Sequence, residues 1–106
     1  MVVMAEPVPP PGPAALAAWI AVDSAPRRRA LSFHTARTPQ SIANWIAGDV
    51  RPSAYARTMI AALTGDSTLA QLEAWGGRDT DDPEPSAADV DAARAAGMRL
   101  AARAAS

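Results

Sequence analysis

The sequence contains no cysteine and no lysine, and only 5% of its residues are aromatic. Without cysteine, neither a disulfide nor a thiolate metal site is possible. The chain has one histidine, His34, and it shows no serine–histidine–acid arrangement, phosphate-binding glycine loop or metal-ligand motif. We therefore predict that the protein is not an enzyme, and that it holds no metal and no cofactor.

Long apolar runs are also missing, and none approaches the ~20 residues that a membrane-spanning helix needs. No basic segment followed by an apolar core is visible at the start of the sequence, so no secretory signal is recognised. A chain of 106 residues can form one small domain with tails. We predict a cytoplasmic protein without a membrane partner.

Charge is distributed unevenly, although the formal net charge is only -1. Six arginines lie between residues 27 and 57 against one acid, Asp49, which gives that stretch a local charge of about +5. Most acids come after Asp66, and four of them are close together: Asp79, Asp81, Asp82 and Glu84. A basic module followed by an acidic linker indicates a nucleic-acid partner.

Caps, breakers and apolar spacing predict an all-α protein. We expect helices over residues 13–22, over 25–34 with Ser24 as cap, over 67–75 and over 86–105. Between them, one helix is capped by Thr38 and ends at Gly48, and another is capped by Ser53 and ends at Gly65. The predicted organisation is a flexible Pro-rich arm over 1–12, a helical domain over 13–76, an acidic linker over 77–85 and an Ala-rich helical tail over 86–106.

The large apolar residues of the predicted helices can share one core. This core is predicted to contain Leu16, Trp19, Ile20, Leu31, Ile42, Trp45, Ile46, Met59, Ile60 and Leu63. At ~1.5–3 kcal/mol for each fully buried large side chain, that is enough for a marginally stable domain.

The helix after Thr38 has two different faces. Ile42, Trp45 and Ile46 form an apolar stripe at helical spacing and are predicted to face the core. Gln40, Ser41 and Asn44 lie off that stripe. Amide side chains on an exposed face near a helix N-terminus are suited to reading base edges in the DNA major groove.

Residues 28–53 resemble the helix-turn-helix of lambda-repressor-like (Cro-type) DNA-binding domains. The matching residues are Thr38, Gln40, Ser41, Ile42, Trp45, Gly48, Arg51, Pro52 and Ser53, with Leu63, Thr64 and Gly65 ending the next helix. The resemblance extends over roughly residues 13–76. It implies a small five-helix bundle with a helix-turn-helix whose third helix enters the major groove. Here that bundle carries the flexible N-terminal arm and the Ala-rich C-terminal helix. The chain departs from the family at the turn, where Thr35 or Ala36 stands in place of the usual glycine.

The resemblance assigns roles residue by residue. Gln40 and Asn44 would read base edges, and Ser41 would make a weaker base or phosphate contact. The residues expected to contact DNA phosphates are Arg28, Arg37, Thr38, Arg51 and Ser53. Double-stranded DNA is then the partner, typically bound by a homodimer at a palindromic operator. The predicted function is a transcriptional regulator, a repressor of phage or mobile-element type.

Other interpretations stay open at this point. Gln40 and Asn44 suit a solvated helix surface, and so do Arg27, Arg28 and Arg29. Asp49 is placed to pair with Arg51 and orient it. The alternative function is an antitoxin or adaptor that binds a protein partner through the C-terminal tail, or uses that tail to dimerise. A stripe of mainly small residues on the tail is the candidate surface for this: Val90, Ala93, Gly97, Leu100 and Ala104.

Overall fold

The computed structural model describes residues 9–76 and 83–105. Its five α-helices are α1 (Gly12–Val22), α2 (Ser24–Thr35), α3 (Pro39–Ala47), α4 (Ala54–Thr64) and α5 (Ala87–Ala105). Two 3-10 helices, Ser67–Ala70 and Leu72–Ala74, lie between α4 and α5. The described ranges contain no strand, so the all-α prediction is confirmed. Most of the predicted arm and most of the predicted acidic linker lie outside the described residues.

Two details of the predicted helices are wrong. Residues 67–75 form the two short 3-10 helices instead of one α-helix, and Trp75 closes this segment by donating from its indole Nε1 to the carbonyl oxygen of Leu69 (2.9 Å). Ser24 does not cap α2, because the helix already begins there and Asp23 is the flanking residue. The Ser24 hydroxyl instead accepts from Arg28 Nε (3.1 Å).

One hydrophobic core lies between the helices. Eight of the ten predicted core residues are buried, and Trp19 and Ile46 are half-buried against them. Ala56 of α4 is buried as well. Further buried side chains come from the segment after α4 and from α5, neither of which contributes to the predicted core: Leu69, Ala74, Trp75, Ala93 and Ala96. Trp75 packs beside the first turn of α1, where a Cβ on Gly12 would lie 2.7 Å from the indole ring. The segment after α4 therefore closes one end of the core.

Helix α5 packs against α4. Ala93, Ala96 and Gly97 of α5 are buried. Of the stripe predicted on the tail, Ala93 and Gly97 are therefore covered inside the chain, whereas Val90 and Leu100 are half-buried and Ala104 is exposed. An exposed ion pair also joins Arg103 of α5 to Asp23 at the α1–α2 junction, with Nε 2.8 Å from Oδ2. Ser86 accepts a hydrogen bond from the Asp89 backbone N–H (3.1 Å) at the start of the helix.

Arg27 is part of this framework and not of the surface, since its exposed fraction is only 5%. Its Nη1 donates to the carbonyl oxygen of Trp19 (2.8 Å), and its guanidinium lies 4.7 Å from the centre of the Trp19 ring. This geometry is a cation–π contact joining α2 to α1.

Candidate nucleic-acid interface

A three-residue turn connects α2 to α3. Ala36 has a left-handed backbone conformation (φ 55°), the only positive φ among the described residues that are not glycine. The Arg37 N–H donates to the Ser32 carbonyl (3.2 Å), and the Ser32 hydroxyl donates to the Arg37 carbonyl. This pair of bonds fixes the turn, and Ala36 occupies a position whose backbone conformation favours glycine.

The predicted limits of α3 are confirmed. The Thr38 hydroxyl accepts from the Ser41 backbone N–H (3.2 Å), and Gly48 ends the helix in the left-handed conformation (φ 80°). Ile42 and Trp45 are buried, whereas Gln40 is exposed and Ser41 and Asn44 are half-buried.

Gln40 and Asn44 contact each other one helical turn apart. Gln40 Nε2 donates to Asn44 Oδ1 (3.1 Å). Each amide has two donor hydrogens and a carbonyl oxygen with two lone pairs, so this single bond leaves both with donor and acceptor capacity. The bond also restricts the rotamers of both side chains, which reduces the entropy that a ligand must overcome.

Next to these amides, a surface depression of about 260 Å³ lies between α3 and the loop that leads into α4. We call it the α3–α4 depression. Its lining residues are Arg37, Ser41, Asn44, Trp45, Val50, Arg51 and Ser53. Two guanidinium groups, two hydroxyls and an amide thus border one concavity, and these are the groups that bind phosphate oxygens.

The electrostatics around the depression favour an anion. No acidic residue occupies the first turn of α3 or of α4, so no carboxylate offsets the positive ends of these helix dipoles. The Ser53 hydroxyl caps α4 by accepting from the Ala56 N–H (3.3 Å). Arg51 is oriented by a hydrogen bond from its Nε to the Trp75 carbonyl (3.3 Å), instead of by Asp49.

The structure brings together most of the predicted site residues. Arg37, Ser41, Asn44, Arg51 and Ser53 border the depression, and Gln40 contacts Asn44 beside it. Thr38 caps α3 and its hydroxyl also contacts the Ser41 hydroxyl (3.2 Å). Arg28 is exposed on the second turn of α2 and does not border the depression.

Sequence reasoning did not find two residues that support this site. Trp75 supplies the carbonyl that holds Arg51. In the sequence, Arg57 contributes only to the local positive charge of residues 27–57, yet just 4% of its surface is exposed, and it donates to the carbonyls of Pro52, before α4, and Ala70, after α4. No local signal separates such an arginine from an exposed one, because these two carbonyls lie outside its own helix.

No protein-family model, characterised protein or solved structure matches the chain. No helix among the described residues is long and apolar enough to cross a membrane. The same residues contain no group of three or more histidine, cysteine, aspartate or glutamate side chains that could hold a metal ion.

Proposed function

We propose that the protein is a sequence-specific DNA-binding transcriptional regulator that inserts α3 into the major groove. The observation that carries this proposal is the juxtaposition of the Gln40–Asn44 amide pair with the α3–α4 depression. The amides have the donor and acceptor pattern that matches adenine, and the adjoining arginines match backbone phosphates. Base reading and backbone positioning are then supplied by one continuous surface.

The arrangement of α2, the turn and α3 also supports this function. In helix-turn-helix proteins the second helix of the pair carries its base contacts near its N-terminus, where Gln40, Ser41 and Asn44 lie. A homodimer would place its two copies of α3 about 34–36 Å apart, one turn of the DNA helix. Repression would follow from occupying a palindromic operator and excluding polymerase.

The test is fluorescence anisotropy with labelled DNA taken from immediately upstream of the protein's own gene, with a shuffled duplex of equal length as reference. Specific sites are typically ~10³–10⁷ times tighter than non-specific DNA. The double variant Gln40→Ala/Asn44→Ala is expected to lose this preference and to keep weak, salt-dependent binding. Gln71→Ala is the matched control, because Gln71 is an exposed amide outside α3.

A second pair of variants tests the phosphate contacts. Arg37→Gln and Arg51→Gln should each weaken binding to both duplexes, and each should lower the slope of log K against log salt by ~0.9 for every phosphate that is no longer neutralised. Arg94→Gln is the charge-matched control, since Arg94 is exposed on α5 and pairs with Asp91. Equal affinity for both duplexes, unchanged in the amide variant, is followed by selection from a library of random duplexes. If no sequence is preferred there either, base reading by α3 is contradicted.

The alternative proposal, a protein partner bound by the C-terminal tail, is weakened by the position of α5. Ala93 and Gly97 of its small-residue stripe are buried inside the chain, so a partner that used these two residues would first have to displace α5. Variants on the exposed face of α5, rather than deletion of the helix, are therefore the fair test of that alternative.

A further inference from the structure

Arg57 contacts two backbone segments that flank the candidate interface. Its side chain extends from the first turns of α4, with Nη1 3.3 Å from the Pro52 carbonyl oxygen and Nε 3.3 Å from the Ala70 carbonyl oxygen. Pro52 is the residue between Arg51 and Ser53, both of which border the α3–α4 depression. Arg57 thus ties the loop before α4 to the first 3-10 helix.

Arg51 is tied to the same part of the molecule. Its Nε donates to the Trp75 carbonyl, and a Cβ on Gly76 would lie 3.6 Å from that nitrogen. Trp75 is itself buried, and its indole is bonded to Leu69. The guanidinium therefore rests on a fixed backbone, and its four terminal N–H donors are the ones that a phosphate would meet.

The burial of the Arg57 guanidinium needs a physical reason, because burying a charged group is unfavourable. Burying its charge carries a desolvation penalty, which hydrogen bonds and charge pairing must offset and which an apolar side chain would not incur. Two of the contacts that the arginine makes at position 57 fix where the Pro52 and Ala70 carbonyl groups lie. One of them belongs to the loop that carries Arg51 and Ser53.

We infer that Arg57 is a positioning residue for DNA binding: through the Pro52 and Ala70 carbonyls it holds Arg51 and Ser53 where they meet a backbone phosphate. This inference rests on the proposed function, and it adds a residue that touches no DNA. Its removal should weaken the phosphate contacts of the depression and leave base preference unchanged.

The first test uses the full chain without DNA. In Arg57→Lys the charge and the stem remain, but one ammonium cannot replace the two-armed contact of the guanidinium. Hydrogen exchange of the Arg51 Nε–H, followed by NMR, should become faster in this variant. Arg27→Lys is the matched control, because Arg27 is an equally buried arginine that bonds the Trp19 carbonyl instead. In the Arg27→Lys variant, the hydrogen-exchange rate of the Arg51 Nε–H should be unchanged.

The second test is a double-mutant cycle on DNA affinity with Arg51→Gln, at a temperature where circular dichroism shows every variant folded. Arg57→Lys should weaken binding about tenfold in the wild-type background and much less in the Arg51→Gln background. The salt slope should fall by ~0.9 for each phosphate that is no longer neutralised. A merely structural role would reduce the folded fraction without changing that slope.

The outcomes separate the two proposals. Additive effects, or a salt slope that does not change, would overturn the positioning role while DNA binding stands. A wild-type protein that binds no DNA would overturn the proposed function and the positioning role together. If Arg57→Lys does not fold, Trp75→Phe is used instead. It removes the indole bond to Leu69, next to the Ala70 carbonyl that Arg57 holds, and so loosens the same 3-10 helix. The same reduction of Arg51 protection and of salt slope is expected, and unchanged values would overturn the positioning role.

Discussion

Gly97 allows a close approach of α5 to α4, and replacing it with alanine tests that contact. A Cβ at position 97 would lie 2.9 Å from the carbonyl carbon of Leu63 and 3.1 Å from its Cα, and nearer still to the carbonyl oxygen. Ordinary contact begins near 3.4 Å, so α5 must move away from the Leu63 carbonyl carbon by at least 0.5 Å. The obstacle is backbone in the last turn of α4, which cannot move aside as a flexible side chain would.

Two effects of opposite sign compete in Gly97→Ala. Helix propensity alone favours alanine by ~1 kcal/mol. Overpacking typically costs ~1–3 kcal/mol, and here it also disturbs the buried residues Ala93 and Ala96. Since rigid backbone is in the way, we expect the second effect to prevail. The difference between the two effects should then lower the free energy of unfolding by up to about 2 kcal/mol, and the melting temperature by roughly 4–8 °C for each kcal/mol.

Urea denaturation followed by circular dichroism measures this change. Ala95→Gly is the matched control, because Ala95 is exposed on the same helix. This control should lower the free energy of unfolding by up to ~1 kcal/mol, because glycine has a lower helix propensity than alanine and no packing contact is changed. If Gly97→Ala instead raised the free energy of unfolding by a similar amount, the tight packing of α5 on α4 would be refuted.

Two further predictions follow from the turn and from the only histidine. Ala36→Gly should raise the free energy of unfolding by up to about 1 kcal/mol, because the left-handed conformation costs alanine ~1–2 kcal/mol. Part of that gain is lost, since glycine has more conformational entropy in the unfolded chain. Thermal unfolding measures the change, and a lower melting temperature would count against the φ of 55°. Burial, and secondarily the nearby Arg99, lowers the pKa of His34 below 6.5. The neutral imidazole is therefore favoured by folding, so its contribution to stability is complete above pH 6.5 and is lost as pH falls through the folded-state pKa. An NMR titration should show that Arg99→Gln raises the pKa of His34 but leaves it below 6.5, and an unchanged pKa would exclude the Arg99 contribution.

The helices were predictable where their ends are set by local chemistry. Thr38 and Ser53 cap α3 and α4 with their hydroxyls, and Gly48 and Gly65 end the same helices with positive φ. Each of these interactions joins residues a few positions apart, so the sequence contains all the information needed. The proposed DNA-facing side chains follow from the same helix, because one face of α3 is apolar and the other is not.

Long-range contacts were not predictable in the same way. The segment after α4 contains leucines at helical spacing, but it forms 3-10 helices, and Trp75 at its end bonds back to Leu69. Arg27 and Arg57 carry the same charge as their exposed neighbours, and only the fold shows that they are buried and donate to backbone carbonyls. The basic surface around α3 therefore contains fewer arginines than the sequence suggests, and those that remain exposed include Arg37 and Arg51.

Under the proposed function, the separation of the two faces of α3 has a consequence for how a change of DNA preference could arise during evolution. Gln40 is exposed, while Ile42 and Trp45 are buried, so most exchanges at position 40 leave the core untouched. A DNA-reading α3, as proposed, could therefore change its operator preference through position 40 without passing through poorly folded ancestors. Trp45 is the exception, since the same indole packs in the core and borders the depression. An exchange at position 45 therefore alters the hydrophobic core and the proposed binding surface at the same time.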